Sequence, residues 1–114
     1  MRMWNVDPKL MCRQHLLGEH LEMHMFRTAI ISRATITGFL NNGLVNLGQI
    51  KLRHDELARE MARRNYNHRS PMNKFKEGKL TTVDVEKNIK ELCHRCPACR
   101  LRITSFAMET KYMN

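Results

Sequence analysis

The apolar positions of the chain fall into three blocks of helical period, joined by stretches without one. From Lys9 to about Arg33, Leu10, Leu17, Leu21 and Met25, with Gln14 among them, share one face at a 3.6-residue repeat, which predicts a long first helix. Asp7-Pro8 supplies its cap and a proline at the first helical position. His15, Glu19, Glu22 and Phe26 fall on a second face, and His20 and His24, four apart, on a third. A second helix is predicted over Gln49 to Arg64. Ile50, Leu57, Ala58, Met61 and Ala62 form its buried stripe, and Arg53, His54, Asp55, Glu56, Arg59, Glu60 and Arg63 its wet side. A third opens at Thr81-Thr82-Val83-Asp84, carries Val85, Ile89, Leu92 and Cys96 along its apolar line, and is stopped by Pro97.

The intervening stretches read differently. Residues 1–8 are expected to be extended, with Trp4 and Val6 as anchors. The β-branched run from Ile30 to Thr37 leaves the end of the first helix open, and Gly38, Gly43 and Gly48 mark a loop whose apolar residues must still pack. Tyr66-Asn67-His68-Arg69-Ser70-Pro71 is a basic turn, and Asn73 to Lys79 a polar connector closing at Gly78. The tail from Arg100 to Asn114 is read as extended, with Arg100, Arg102, Phe106, Lys111 and Tyr112 placed to meet DNA or to dock an aromatic. The fold class is therefore mostly all-α: a single compact domain over residues 1–114, with about three helices and extended N- and C-terminal segments. A chain of 114 residues can bury a modest core.

Charge adds a partner to this picture. Twenty Lys and Arg against 11 Asp and Glu give a formal net charge of +9, which concentrates polyanions and points to nucleic acid. The plainer alternative is a protein that happens to be basic. No run approaches the ~18 apolar residues of a membrane span, and the opening Met-Arg-Met-Trp-Asn-Val-Asp-Pro has no signal-peptide core. A cytoplasmic monomer with no membrane association is expected.

Three groups of residues carry candidate chemistry. On the first helix, Glu19 or Glu22 beside an apolar core would have the raised pKa of a general acid or base, whereas a solvated face would leave both idle. Gly18 weakens that helix by ~1 kcal/mol relative to alanine and would let a ligand or the chain terminus approach the backbone. His20 and His24 have metal-ligand spacing without the H-E-x-x-H order. Finally Cys93, Cys96 and Cys99 are candidate zinc ligands, with His94 or the distant Cys12 as a fourth; core packing and redox chemistry are the alternatives. From these residues alone, two functional readings stand. One is a non-enzymatic nucleic-acid-binding protein with a zinc-stabilised C-terminus. The other is a metal-dependent nuclease using His20, His24 and Glu19.

A third reading comes from a longer pattern. Met1-Arg2, followed by Gln14-His15-Leu16, Glu19 and Glu22, runs without a gap to about residue 26. A second block, Arg53-x-x-Glu56-Leu57-x-x-Glu60-x-x-x-Arg64-x-Tyr66-Asn67, follows it. Together they resemble the small pyrimidine-dimer DNA glycosylase/AP lyases of the phage endonuclease V type, over roughly residues 1–30 and 50–70. The resemblance implies a largely helical enzyme on damaged double-stranded DNA that needs no metal or nucleotide cofactor. It implies that the α-amine of Met1 attacks C1′ of the damaged nucleotide, that Glu22 is the acid/base, and that a Schiff base then collapses by β-elimination. An α-amine titrates near ~7.7–8.0, so a useful fraction is neutral at neutral pH, and a neighbouring cation such as Arg2 would increase it. Arg2, Gln14 and His15 match DNA- and sugar-positioning residues of the family, and Arg53, His68 and Arg69 are further candidate DNA contacts. Leu21 and Met25 stand where the family's UV enzymes carry phosphate-holding arginines.

Overall fold

Helix α1, Arg13–Ile31, is the spine on which the other elements lie. The structure, a computed structural model, describes residues 1–113, with side chains as far as Met108. A short 3-10 turn at Pro8–Leu10 precedes α1, with the Asp7 carboxylate accepting from the Lys9 amide. The Asp-Pro pair thus opens this turn and not the long helix expected from Lys9, which starts four residues later with Cys12 as its N-cap. After α1 come α2 (Thr37–Asn41), α3 (Ile50–Arg63), α4 (Val85–Arg95) and α5 (Pro97–Met113). Among the described residues these five α-helices are joined by irregular chain, with no strand, so the mostly-α expectation holds.

Two helix ends follow the local chemistry. Ser32 and Arg33 close α1: Arg33 takes a left-handed φ of 59°, and the Ala34 amide turns back onto the Ala29 carbonyl. Asn65 does the same for α3, with φ 63° and the Tyr66 amide on the Met61 carbonyl. Other boundaries depart from expectation. Asp84, not a threonine, caps α4 by accepting from the Lys87 amide. Thr81 is diverted to the loop before α3, donating to the Val45 carbonyl and accepting from the Leu47 amide. There the extended chain passes so close that a Cβ on Gly48 would sit 3.1 Å from the Leu80 backbone nitrogen. Pro97 stops α4 as predicted, but it also starts α5, because a residue with fixed φ and no N–H suits the first helical position. The tail is therefore a helix, not an extended segment. The contacts proposed for Lys111 and Tyr112 lie outside the described side chains.

The buried face of α1 is not the leucine face. Leu16, Glu19, His20, Met23 and Phe26 point inward, while Leu21 and Met25 are 60% and 46% exposed. The reason is a polar anchor. Arg53 of α3 is 1% exposed, and its guanidinium donates to both oxygens of the fully buried Glu19, at 2.6 and 2.9 Å. A third donor reaches the Val6 carbonyl at 2.7 Å. The Asn5 amide also donates to the Glu19 carboxylate, from a residue in the left-handed region at φ 56°. Burial pushes the Glu19 carboxyl up, and the bidentate Arg53 contact opposes that shift. Arg53, His54 and Glu60, expected on the wet side of α3, are all buried. Around this anchor pack Met3, Trp4 and Val6 from the N-terminal segment, Met11 and Cys12, and Ile50, Leu57 and Met61 of α3. Val45 and Met72 from the connecting chain, Leu92 of α4 and Cys99 of α5 join the group.

Removing one partner of a buried ion pair leaves the other charged and unpaired, a loss of about 3–5 kcal/mol. Arg53→Met and Glu19→Leu should each destabilise the fold by that order. The double variant should be less destabilised than the sum of the two by at least about 1 kcal/mol. Urea denaturation midpoints of the three proteins check this; additive losses would refute it.

Candidate active site

The N-terminal segment runs back along α1 in the opposite direction. Trp4 reaches His15, ring centroids 5.8 Å apart, and Met1 reaches Glu22, one α-amine to carboxylate contact of 3.6 Å. Several hydrogen bonds hold that course. The Met3 amide donates to the Leu44 carbonyl, Asn88 Nδ2 to the Trp4 carbonyl, Arg53 to Val6 and Arg64 to the carbonyls of Pro8 and Met11. The α-amine and the carboxylate meet in a half-buried setting, with side chains 18% and 26% exposed. Gly18 lies one helical turn before Glu22, and a Cβ there would meet nothing within 4 Å. The expected close approach of the chain terminus to Gly18 is not seen; what the glycine leaves beside the carboxylate is open surface.

Other candidate residues are placed unevenly. Gln14 and Arg69 are exposed and free to face a large ligand. Arg2 is directed to α4, donating to Asn88 Oδ1 at 2.6 Å, pairing with Glu91 at 3.2 Å and lying 3.7 Å over the Trp4 ring. It borders a cleft of about 1100 Å³ lined also by Leu44, Thr82 and Asn88. Arg53, expected to contact DNA, cannot: it is enclosed against Glu19 and Val6. His15, expected to position DNA, aims Nδ1 at sulfur, 3.3 Å from Cys12 and 3.6 Å from Cys99. Burial, followed by the Arg95 charge, lowers its pKa, with Glu22 acting in the other sense.

Four histidines form a second cluster that periodicity alone did not assemble. His20 and His68 share a 2.9 Å hydrogen bond between Nε2 atoms. The His54 ring centroid lies 4.6 Å from that of His20, tilted, and 4.7 Å from that of His24, edge-on. Nitrogens of His20, His54 and His68 lie within 4.8 Å of one another. They are already engaged, since His54 Nδ1 meets the Asp55 carboxylate and its Nε2 the Ser70 carbonyl. The nuclease reading fails on its carboxylate: Glu19 is sealed against Arg53 on the inner side of α1 and reaches no metal beside His20 and His24. The cysteine expectation also changes. Cys93 and His94 stay outside, and the thiols of Cys96 and Cys99 instead converge with Cys12 and His15, all four ligand atoms lying within 4.8 Å of one another.

A helical chain carrying an N-terminal amine against a helix carboxylate, with a basic composition, fits a DNA-processing enzyme. The family model described as pyrimidine dimer DNA glycosylase matches residues 1–74, and the chain belongs to that family, whose members act on damaged DNA. No curated protein and no solved structure matches the chain. No described helix is long and apolar enough to cross a membrane.

The histidine cluster makes stability depend on pH. Burial, then the neighbouring His54, His68 and His24, lower the His20 pKa to about 4. Between about 4 and the unfolded value of about 6.5 the unfolded chain binds a proton that the native state refuses, so stability is full above that window and falls as pH drops through it. Urea midpoints at about pH 7 and about pH 5 should therefore differ. The difference should shrink in His20→Gln; an unchanged difference would show that His20 does not contribute.

Proposed function

We propose that this chain is a glycosylase with AP lyase activity, cutting damaged double-stranded DNA at a pyrimidine lesion. The observation that carries the reading is the approach of the Met1 α-amine to within 3.6 Å of Glu22 Oε1. In the reaction, the neutral amine attacks C1′ of the target nucleotide and the C1′–N bond breaks, its electron pair leaving with the base. The amine yields its proton to the Glu22 carboxylate; as the C1′–O4′ bond opens, Glu22 returns that proton to O4′, leaving a protonated Schiff base between Met1 and the sugar and the carboxylate free again. Glu22 next removes a proton from C2′, and β-elimination breaks the C3′–O3′ bond, releasing a 5′-phosphate end. Hydrolysis of the imine returns the free amine. The attack and the elimination use a nucleophile and a base held 3.6 Å apart.

The sugar carbon is shielded in a stacked duplex, so the lesion or its partner must be turned out of the helix. Gly18 leaves the surface one turn before Glu22 bare, and Leu21 and Met25, both exposed on the same helix, offer apolar rather than cationic side chains. Gln14 and Arg69 are the exposed members of the candidate contact set, with His68 partly exposed. A base or sugar face, not a phosphate, is what Leu21 and Met25 can contact.

Protein with a native N-terminus, incubated with abasic-site duplex and borohydride without added divalent cation, should form a covalent adduct at the Met1 peptide. Reductive methylation or acetylation of the N-terminus should abolish it. Glu22→Gln should bind the duplex with similar affinity while excision and nicking fall by at least about 100-fold. Absence of an adduct, or near-normal turnover in Glu22→Gln, would overturn the proposal.

A further inference from the structure

We propose that Cys12, His15, Cys96 and Cys99 form a structural zinc site that clamps the C-terminal helices to the start of α1. The four residues come as two short pairs far apart in the chain, Cys12-x-x-His15 and Cys96-x-x-Cys99. Their spacing in space is that of a tetrahedral site. With Zn–S near 2.3 Å and Zn–N near 2.0–2.1 Å, a tetrahedron places two sulfurs about 3.8 Å apart and a sulfur and a nitrogen about 3.6 Å apart. Cys12 Sγ lies 3.9 Å from Cys96 Sγ, 3.3 Å from His15 Nδ1, and His15 Nδ1 lies 3.6 Å from Cys99 Sγ. These distances are too long for a disulfide, and all four cysteines are free thiols.

Backbone donors meet the sulfurs. Each of the three sulfurs accepts a backbone N–H: Cys12 from the His15 amide at 3.4 Å, Cys96 from the Cys99 amide at 3.4 Å, and Cys99 from the Cys12 amide at 3.2 Å. Donors of this kind orient ligands and stabilise their charge. Cys12 is the N-cap of α1 and Cys96 immediately precedes α5, so the positive ends of two helices converge on the cluster. Cys99 is fully buried and Cys12 nearly so. Four protein ligands close the coordination sphere, which marks a structural rather than a catalytic ion.

The placement explains what the ion would do. Cys12 and His15 lie within residues 1–74, the part matched by the family model, and Cys96 and Cys99 lie beyond it. The site would join the two parts at one point. Trp4 packs on His15, so the clamp also backs the N-terminal segment that ends at Met1. His15 then serves as a ligand through Nδ1 and not as a DNA contact.

Untagged protein from zinc-supplemented cultures, measured by elemental mass spectrometry, should carry one zinc per chain. The cobalt-substituted protein should show tetrahedral d–d bands with thiolate-to-cobalt charge transfer. Cys96→Ser should raise the zinc dissociation constant more than about 100-fold, beyond what loss of an outer-shell partner does. Cys93→Ser should keep the metal, and Cys96→His, a conservative ligand exchange, should keep both metal and fold if Cys96→Ser is too unstable to assay. A folded protein with neither zinc nor a tetrahedral cobalt spectrum would overturn the site, as would zinc lost on Cys93→Ser or bound with unchanged affinity by Cys96→Ser. Abasic-site trapping by zinc-free protein would leave the amine chemistry standing while showing that the clamp is dispensable for it.

Discussion

A guanidinium buried at the centre of a small helical protein must have its donors satisfied, and the Arg53 side chain meets that demand with groups from three parts of the chain. Glu19 of α1 takes two donors, the Val6 carbonyl takes one, and the Met11 sulfur sits 3.5 Å from Nη2. The same contact therefore fixes how α3 lies on α1 and where the N-terminal segment runs. Arg64 adds to it one helix end away, covering the carbonyls of Pro8 and Met11 while Glu60 neutralises its charge. Backbone carbonyls of an extended segment without strand partners would otherwise be buried unpaired, at a cost of about 1–3 kcal/mol each. Held this way, the segment delivers the Met1 amine to α1 instead of leaving it in solvent.

This gives a structural meaning to the second block of the family pattern. Arg53 and Glu60 belong to a wet helix face when read along the sequence, yet both are buried, and Arg53 and Arg64 donate to carbonyls of the N-terminal segment while Glu60 holds Arg64. Part of the excess positive charge is thus spent inside the molecule. The remainder stays exposed, including Arg13, Lys79, Lys87 and Arg100, and is what a polyanion would meet.

α1 then carries different chemistry at different depths. Its inward side holds the Glu19 carboxylate in the ion pair. Three residues on, Glu22 comes to the rim, where a carboxylate can meet both the chain's amine and an incoming ligand. Toward its first turn His15 faces the thiols, and on its remaining flank His20 and His24 pack with His54 and His68. Two glutamates three residues apart differ in role because one is sealed from water and the other is not.

Much of the fold was legible in the chain alone. The apolar repeat and the proline after Cys96 are local chemistry, and local chemistry placed α1, α3 and α4 to within a few residues. The Met1, Gln14-His15 and Glu22 pattern likewise indicated the family and the candidate amine–carboxylate pair. What the chain alone did not reveal are matters of partnership between distant segments. Periodicity marks a leucine face on α1, but the buried face is that of Leu16, Glu19, Met23 and Phe26, where the Glu19 charge is tolerated because Arg53 pairs with it, and Leu21 and Met25 were left outside. The tail became a helix because Pro97 can begin one as readily as end one. Cys96, Cys99 and the distant Cys12 could be named as candidates, but that His15 joins them and Cys93 and His94 do not is decided by packing across more than eighty residues, a distance no spacing rule spans. Sequence determines what each residue can donate, accept or bury; only the packed chain decides which partner is close enough to receive it.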